Sequence, residues 1–389
     1  MAQFPANDII SLVGPPPRYD LAESVGPDLR LAELADLGGL GDLPLAYGTP
    51  AGDPRLRSLI AEAHGVDPDD VVVTVGGMHA LFLLAFILCD RGDKAVITAP
   101  MFPLARTALE AVGANVNAHC LSFDRGYRLD PRALRDELTA DTRLVALASP
   151  QNPSGVAITP EILREVRELI EEICPKAHLL VDETYREAAY GNDLIADSVV
   201  TLGPNVISVA SLSKCHGAPG LRLGWVITRD SELRRQLTLA KFNTVVSCSA
   251  VDEALALKVL ERRTSIIAAR RVQLDAGLQR TAAWVRSNSN FIDWVRPDAG
   301  AICCVRLKPT IFDDVAVERF YRSLANSGTR VAHGAWFGDE ARVFRLGFGL
   351  LPIPDLGDAL AAIIAAAKEA VAMRKLASSK RSSSCADPL

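Results

Sequence analysis

Lys214 follows an apolar run at 205–210 and precedes a loop of small residues, Cys215-His216-Gly217-Ala218-Pro219-Gly220, that leads to Arg222. Most lysines are solvated surface charges. A lysine held partly out of water has its ammonium disfavoured, so its pKa falls from about 10.4 toward neutrality and the amine becomes a nucleophile. Three more segments place polar groups directly after apolar runs. Asp182 ends the run 177–181 and stands three residues before Tyr185. It suits a buried functional acid or the N-cap of a following helix. The run 143–149 ends in Pro150-Gln151-Asn152-Pro153-Ser154-Gly155, a turn by composition that could also aim the Asn152 side chain inward. The run 71–75 ends in Gly76-Gly77-Met78-His79 before a long apolar stretch. This is either a simple turn or a helix N-terminus whose free amides and dipole favour a phosphate.

The elements that must position these groups follow from periodicity. Short runs at 71–75, 94–98, 115–121, 143–149, 177–181, 205–210 and 222–228 read as strands. Between the first of them lie helical stretches near 103–112, 131–138 and 160–173. Strands alternating with helices of about a dozen residues predict βαβ units, an α/β fold with a mostly parallel central sheet covered by helices. Ligands of such sheets bind beyond the carboxyl ends of the strands, which is where the four polar segments fall. After 230 the pattern changes to a long helical region, then strands near 301–307, 329–333 and 342–347, then a helix from Asp355 to about 373. We expect a large domain over 45–270, and a smaller α+β domain from 271–375 with an N-terminal arm at 1–44. That arm reads as irregular, with one short helix at 29–37. A Ser-rich tail without regular structure is expected over 376–389.

Composition excludes several roles. The chain has 389 residues, 49% hydrophobic and 23% charged, with a formal net charge of −5 and no basic block in its body. This argues against nucleic acid as a partner and against an anionic membrane surface. The longest apolar run, Ala80 to Cys89, is ten residues, too short to span a bilayer. No basic segment followed by an apolar one opens the chain. The eight cysteines contain no Cys-x-x-Cys and show no metal-ligand spacing, so they read as buried thiols of a cytoplasmic protein, and no metal is expected.

Lysine, acid, asparagine with tyrosine, and a phosphate-binding helix end form one chemical set, the one that pyridoxal phosphate (PLP) uses. The lysine forms a Schiff base, the acid keeps the pyridine nitrogen protonated, and the ring withdraws electrons from the substrate Cα. The motifs that carry this set stand in a definite order. They are Tyr47-Gly48-Thr49-Pro50-Ala51-Gly52, Thr74-Val75-Gly76-Gly77, Pro100-Met101-Phe102-Pro103, Asn152-Pro153-Ser154-Gly155, Asp182-Glu183-Thr184-Tyr185, Ser211-Leu212-Ser213-Lys214, Gly220-Leu221-Arg222-Leu223-Gly224 and Phe344-Arg345-Leu346-Gly347. In this order, from about 45 to 371, the chain resembles fold-type-I PLP enzymes, specifically the class I and II aminotransferases.

The resemblance implies a role for each residue. Lys214 would carry the cofactor and move the proton at Cα. Asp182 would pair with the pyridinium, Asn152 and Tyr185 with the ring hydroxyl, and Phe102 would stack on the ring. Gly77, Met78, Ser211, Ser213 and Arg222 would bind the phosphate. Tyr47 would reach the cofactor of a second copy, implying a homodimer with shared sites. Arg345 would clamp the substrate α-carboxylate, with Asn152 beside it.

Some positions depart from the pattern. Met78 and His79 stand where polar residues are usual, Cys303 where an aromatic is frequent, and His333-Gly334 where Pro-Gly is frequent. These bear on the side-chain pocket and leave cofactor binding intact. The segment Pro17-Arg18-Tyr19-Asp20-Leu21-Ala22-Glu23-Ser24 is similar to the N-terminal segment of a subgroup that includes capreomycidine synthase and PLP-dependent arginine oxidases, where it helps bind a basic side chain. A solvated arm is the alternative. Amino-group transfer between an amino acid and a 2-oxo acid is the expected reaction, with PLP-dependent elimination, cyclisation or oxidation as the other outcome. A nicotinamide dehydrogenase lacks its glycine fingerprint here. A PLP-binding regulator lacks a DNA-binding segment before Tyr47.

Overall fold

The computed structural model describes residues 3–34, 40–190 and 197–383, with side chains to residue 372. The first strand, β1 (Tyr19–Leu21), lies in the N-terminal arm. Seven strands follow: β2 (Val71–Thr74), β3 (Lys94–Ala99), β4 (Asn115–Cys120), β5 (Thr142–Ala148), β6 (His178–Asp182), β7 (Val206–Ser211) and β8 (Gly224–Thr228). They form one sheet in the order β2-β8-β7-β6-β5-β3-β4. Every pairing is parallel except the two made by β8. Four more strands, β9 (Ile292–Val295), β10 (Ile302–Leu307), β11 (Thr329–His333) and β12 (Val343–Gly347), join β1 in a second sheet of order β1-β11-β12-β10-β9. The helix Arg263–Ser287 carries the chain from the large sheet to the small one, across the expected boundary near 270.

Local sequence explains the elements. The helix Pro160–Ile173 opens with a proline, and its N-cap Thr159 accepts a hydrogen bond from the Ile162 amide. It buries Leu163, Val166 and Ile170 against the sheet at helical spacing. The central strands are apolar on both faces, as a sheet covered on two sides requires. One face packs Val145, Leu147, Leu179 and Val181 with Val166 and Ile170. The opposite face packs Leu144, Leu180, Ile207 and Val209 against the helix Gly76–Leu88. The small domain has its own core around Phe312, Phe320, Phe344 and Phe348.

Three differences from the sequence reading have physical causes. β1 and β9 are strands of three and four residues, too short to show a period, and tertiary pairing makes them. Among its described residues the arm forms 3-10 turns at Asp8–Leu12 and at Leu31–Glu33, the latter where a helix over 29–37 was expected, and 35–39 lie outside the described residues. The last helix, Ile353–Ser383, continues past 376, so the expected irregular tail is corrected over 376–383. Ala, Leu, Lys and Arg favour helix there, and no Gly or Pro interrupts it. Residues 384–389 lie outside the described set.

Parallel register places the site. Ala148 pairs with Asp182, and Asp182 with Val209, so β5, β6 and β7 end side by side. The loop after β5 then turns tightly through Gly155, at φ +71°. A Cβ there would stand 2.6 Å from Pro297 Cβ and 2.7 Å from the Ala299 carbonyl oxygen. Replacing Gly155 with Ala is expected to lower stability by about 2–4 kcal/mol, from left-handed strain plus the clash. Urea unfolding followed by circular dichroism measures it as an earlier first midpoint.

Candidate active site

A cavity of about 220 Å³ opens at the carboxyl ends of the parallel strands. Asp182, at the end of β6, and Lys214, three residues past β7, both line it. Phe102, Asn152 and Tyr185 line the same space. So do Gly77, Met78, Ser211, Ser213 and Arg222. Arg345 on β12 stands directly behind Asn152, its Nη1 donating to Asn152 Oδ1 at 2.7 Å. Tyr47 is apart from this group, 86% exposed and outside the cavity.

Burial dominates the electrostatics at Lys214 and Asp182. Enclosure by protein, and next the Arg345 charge, hold the Lys214 ammonium down to about 8. Glu23 and Asp182 oppose that shift, and Arg222 adds to it. Burial pushes the Asp182 carboxyl up, against the Thr184 amide, which donates to Oδ1 at 2.9 Å. The acid therefore gains by facing a fixed cation. Burial pushes the Tyr185 phenol up to about 12, and its hydroxyl makes no hydrogen bond of good geometry. Arg345 is 2% exposed. Its Nη2 donates to the Ala22 carbonyl at 2.5 Å, and its guanidinium lies 4.7 Å from the centre of the Phe337 ring. Its Nε is buried without a partner among the described residues.

The other end of the cavity suits an anion. The helix Gly76–Leu88 begins there, and its N-cap Val75 offers no side-chain cap to the first amides. The Arg222 guanidinium packs against Gly76, 2.5 Å from where a Cβ would be. Gly224, which opens β8, lets the helix start approach, since a Cβ there would stand 2.6 Å from the Gly77 nitrogen. The Ser211 and Ser213 hydroxyls complete the rim. Together the uncapped helix start, the guanidinium, the Tyr185 hydroxyl, unpartnered among the described residues, and the half-buried Asp182 fit the phosphate, ring hydroxyl and ring nitrogen of PLP.

The arm supplies groups that sequence reasoning did not assign. Ser24 Oγ accepts a hydrogen bond from Lys214 Nζ at 2.9 Å, and Ala22 gives its carbonyl to Arg345. The segment 17–24 was visible as a departure from pattern, but its pairing with β11 carries no local signal. Of the other departures, only Met78 lines the cavity. His79 turns back, its Nδ1 accepting from the Val75 amide and its Nε2 meeting Thr244 Oγ1 at 3.1 Å. Cys303 is fully buried in the small-domain core. His333 stacks between Tyr321 and Trp336.

The sequence profile of the aminotransferase class I and II family matches residues 32–363. The capreomycidine synthase of Streptomyces vinaceus is 31% identical over 86% of this chain and 85% of its own. An arginine–pyruvate transaminase of Pseudomonas aeruginosa is 28% identical over 76% of this chain and 75% of its own. The solved structure of a PLP-dependent cyclase superposes with a TM-score of 0.81 at 25% identity, covering 92% of this chain and 94% of that one. The fold is that of fold-type-I PLP enzymes.

The charge around Lys214 gives a test. Arg345 lowers the pKa of Lys214, so Arg345→Gln is expected to raise it above the wild-type value of about 8. In the cofactor-free protein the neutral amine is the reactive form. The pH profile of Lys214 modification by an amine reagent, located by peptide mass, therefore moves to higher pH in the variant. An unmoved profile contradicts the assignment of Arg345 as a neighbouring charge.

Proposed function

This chain belongs to the class I and II aminotransferase family of PLP-dependent enzymes, and on that premise we propose that it moves an amino group from an amino acid to a 2-oxo acid. When bound, PLP supplies an aldehyde that condenses with amines and a protonated ring that withdraws electrons from Cα. The protein's own groups do the rest. Asp182 keeps a negative charge opposite the ring nitrogen. Tyr185 and Asn152 would offer hydrogen bonds to the ring hydroxyl, and Phe102 would pack on the ring and exclude water. The helix start at Gly77 and Met78, with Ser211, Ser213 and Arg222, holds the phosphate. Lys214, an amine poised near neutrality, removes and returns the proton at Cα. Arg345 orients the substrate by its carboxylate. The observation that carries this reading is Lys214 in one cavity with Asp182 and an anion cradle.

A donor with a cationic side chain is the substrate class we favour. Glu23 makes no ion pair among the described residues, and its charge acts on both Lys214 and Arg345. The relative from Pseudomonas aeruginosa is named for arginine and pyruvate. We also infer a homodimer, supported by the exposure of Phe4, Leu45, Tyr47 and Phe86, which a second copy would cover. A second reading, cyclisation of the same class of amino acid, is favoured by the likeness to capreomycidine synthase over most of the chain. The scaffold serves both, because reaction choice lies in the groups around Cα.

The two readings separate in a half-reaction. With L-arginine and no acceptor, transamination releases one equivalent of 2-oxo acid per site and bleaches the visible band of the bound cofactor, and pyruvate restores it. Oxidation instead turns over on L-arginine without 2-oxo acid, consuming dioxygen and releasing ammonia and peroxide, whereas cyclisation turns over only on an arginine that carries a β-hydroxyl leaving group, giving the cyclised product and water. Lys214→Ala is expected to abolish the visible band of covalently held cofactor. Asp182→Ala should bind PLP weakly and lose at least about 10²-fold in kcat.

A further inference from the structure

The bond between Ser24 and Lys214 joins the two sheets. Lys214 hangs from β7 of the large sheet, whereas Ser24 follows β1 of the small one. Ser24 is 5% exposed, and its Oγ supplies the one hydrogen bond that the described residues give to Lys214 Nζ. The same hydroxyl lies beside the Tyr185 phenol, close enough to draw its pKa down against burial but outside good hydrogen-bond geometry. It can thus accept from the amine while its own proton points toward the phenol oxygen.

The strap that carries Ser24 is held at several points. β1 runs parallel to β11, with Leu21 opposite Val331. Arg330 grips the buried Asp20 carboxylate at 2.5 Å and donates to the Ser11 and Leu12 carbonyls. Asp20 in turn accepts from the Ala22 amide at 3.0 Å. The Glu23 carbonyl packs so closely on Gly347 that a Cβ there would stand 1.9 Å away. A lysine has several rotamers of similar energy, and fixing its terminal amine costs entropy at each turnover unless something holds it.

We propose that Ser24 is a positioning residue for the Lys214 amine, brought to it by docking of the 19–24 strap on the small sheet. With one N–H committed to Ser24, the free amine keeps its lone pair directed into the cavity. The inference rests on the reading of Lys214 as the reacting amine. Arg345, Asp182, Glu23 and Arg222 are the charges that face this amine from the small sheet, β6, the strap and the loop before β8.

The test compares wild type, Ser24→Ala, Ser24→Thr and Arg330→Gln as full-length, cofactor-free proteins mixed with PLP across pH. The readout is the rate at which the visible band of covalently held cofactor appears. Loss of the hydroxyl removes a hydrogen bond that also favours the ammonium. Ser24→Ala is therefore expected to lower the high-pH plateau about tenfold and to move the midpoint to lower pH. Ser24→Thr restores both. Arg330→Gln, which touches neither group, lowers the plateau by loosening the strap. A Ser24→Ala profile that overlays wild type overturns the proposal, as does an Arg330→Gln plateau equal to wild type. Neither result touches the cofactor reading, which fails only if Lys214→Ala still develops the band.

Discussion

One amine is held largely out of bulk water, and the rest of the molecule is arranged around that fact. Lys214 leaves the end of a fully buried strand and stands half-buried on the cavity wall, where enclosure by protein disfavours its charge. Neither sheet alone achieves this. The large sheet supplies the floor through Asp182 and the loop after β7. The small sheet closes the far side with Arg345 on β12 and the strap after β1. The two sheets are coupled through polar contacts to groups at the cavity, so a shift between them changes the environment of the amine directly.

The charges in this space do not balance, and the imbalance indicates what belongs there. Lys214, Arg222 and Arg345 face Asp182 and Glu23. Arg345 spends its donors on an amide oxygen and a carbonyl, with one nitrogen left over and no carboxylate in hydrogen-bond contact. A buried guanidinium with no carboxylate in hydrogen-bond contact among the described residues is costly, with only the more distant Glu23 and Asp20 charges to offset it. Arg222 and the uncapped helix start make the same argument for a phosphate. Asp182, pushed up by burial, makes it for a cation. Each group is poorly satisfied alone and well satisfied by one part of a cofactor–substrate pair.

Much of this was legible in the sequence because the large domain encodes its site locally. Asn152, Asp182 and Lys214 each follow their own strand by a few residues, and parallel pairing brings strand ends together without further information. The helix start at Gly76-Gly77 is equally local. The strap was read as irregular because its structure comes from pairing with β11, more than three hundred residues away. Ser24 meets Lys214 across a separation of 190 residues, and Arg345 meets Asn152 across 193. No periodicity within a short window contains such contacts. The place of Cys303 and His333 in the family pattern points to the side-chain pocket, yet Cys303 lies in the core of the small sheet and His333 stacks between Tyr321 and Trp336.

The division between what was legible and what was not has a chemical meaning. The parts that make a PLP enzyme of any kind, the amine, the acid and the anion cradle, are the locally encoded ones. Ser24, Glu23 and the carbonyl of Ala22, which reach Lys214 and Arg345 from the other sheet, come from the strap. A scaffold that fixes the first set and leaves the second to a short segment docked on the small sheet can change reaction without changing fold. That accounts for a chain that is similar at once to a transaminase and to a synthase. The amine, the acid and the anion cradle are encoded within the large sheet, and the arm reaches them through its pairing with β11.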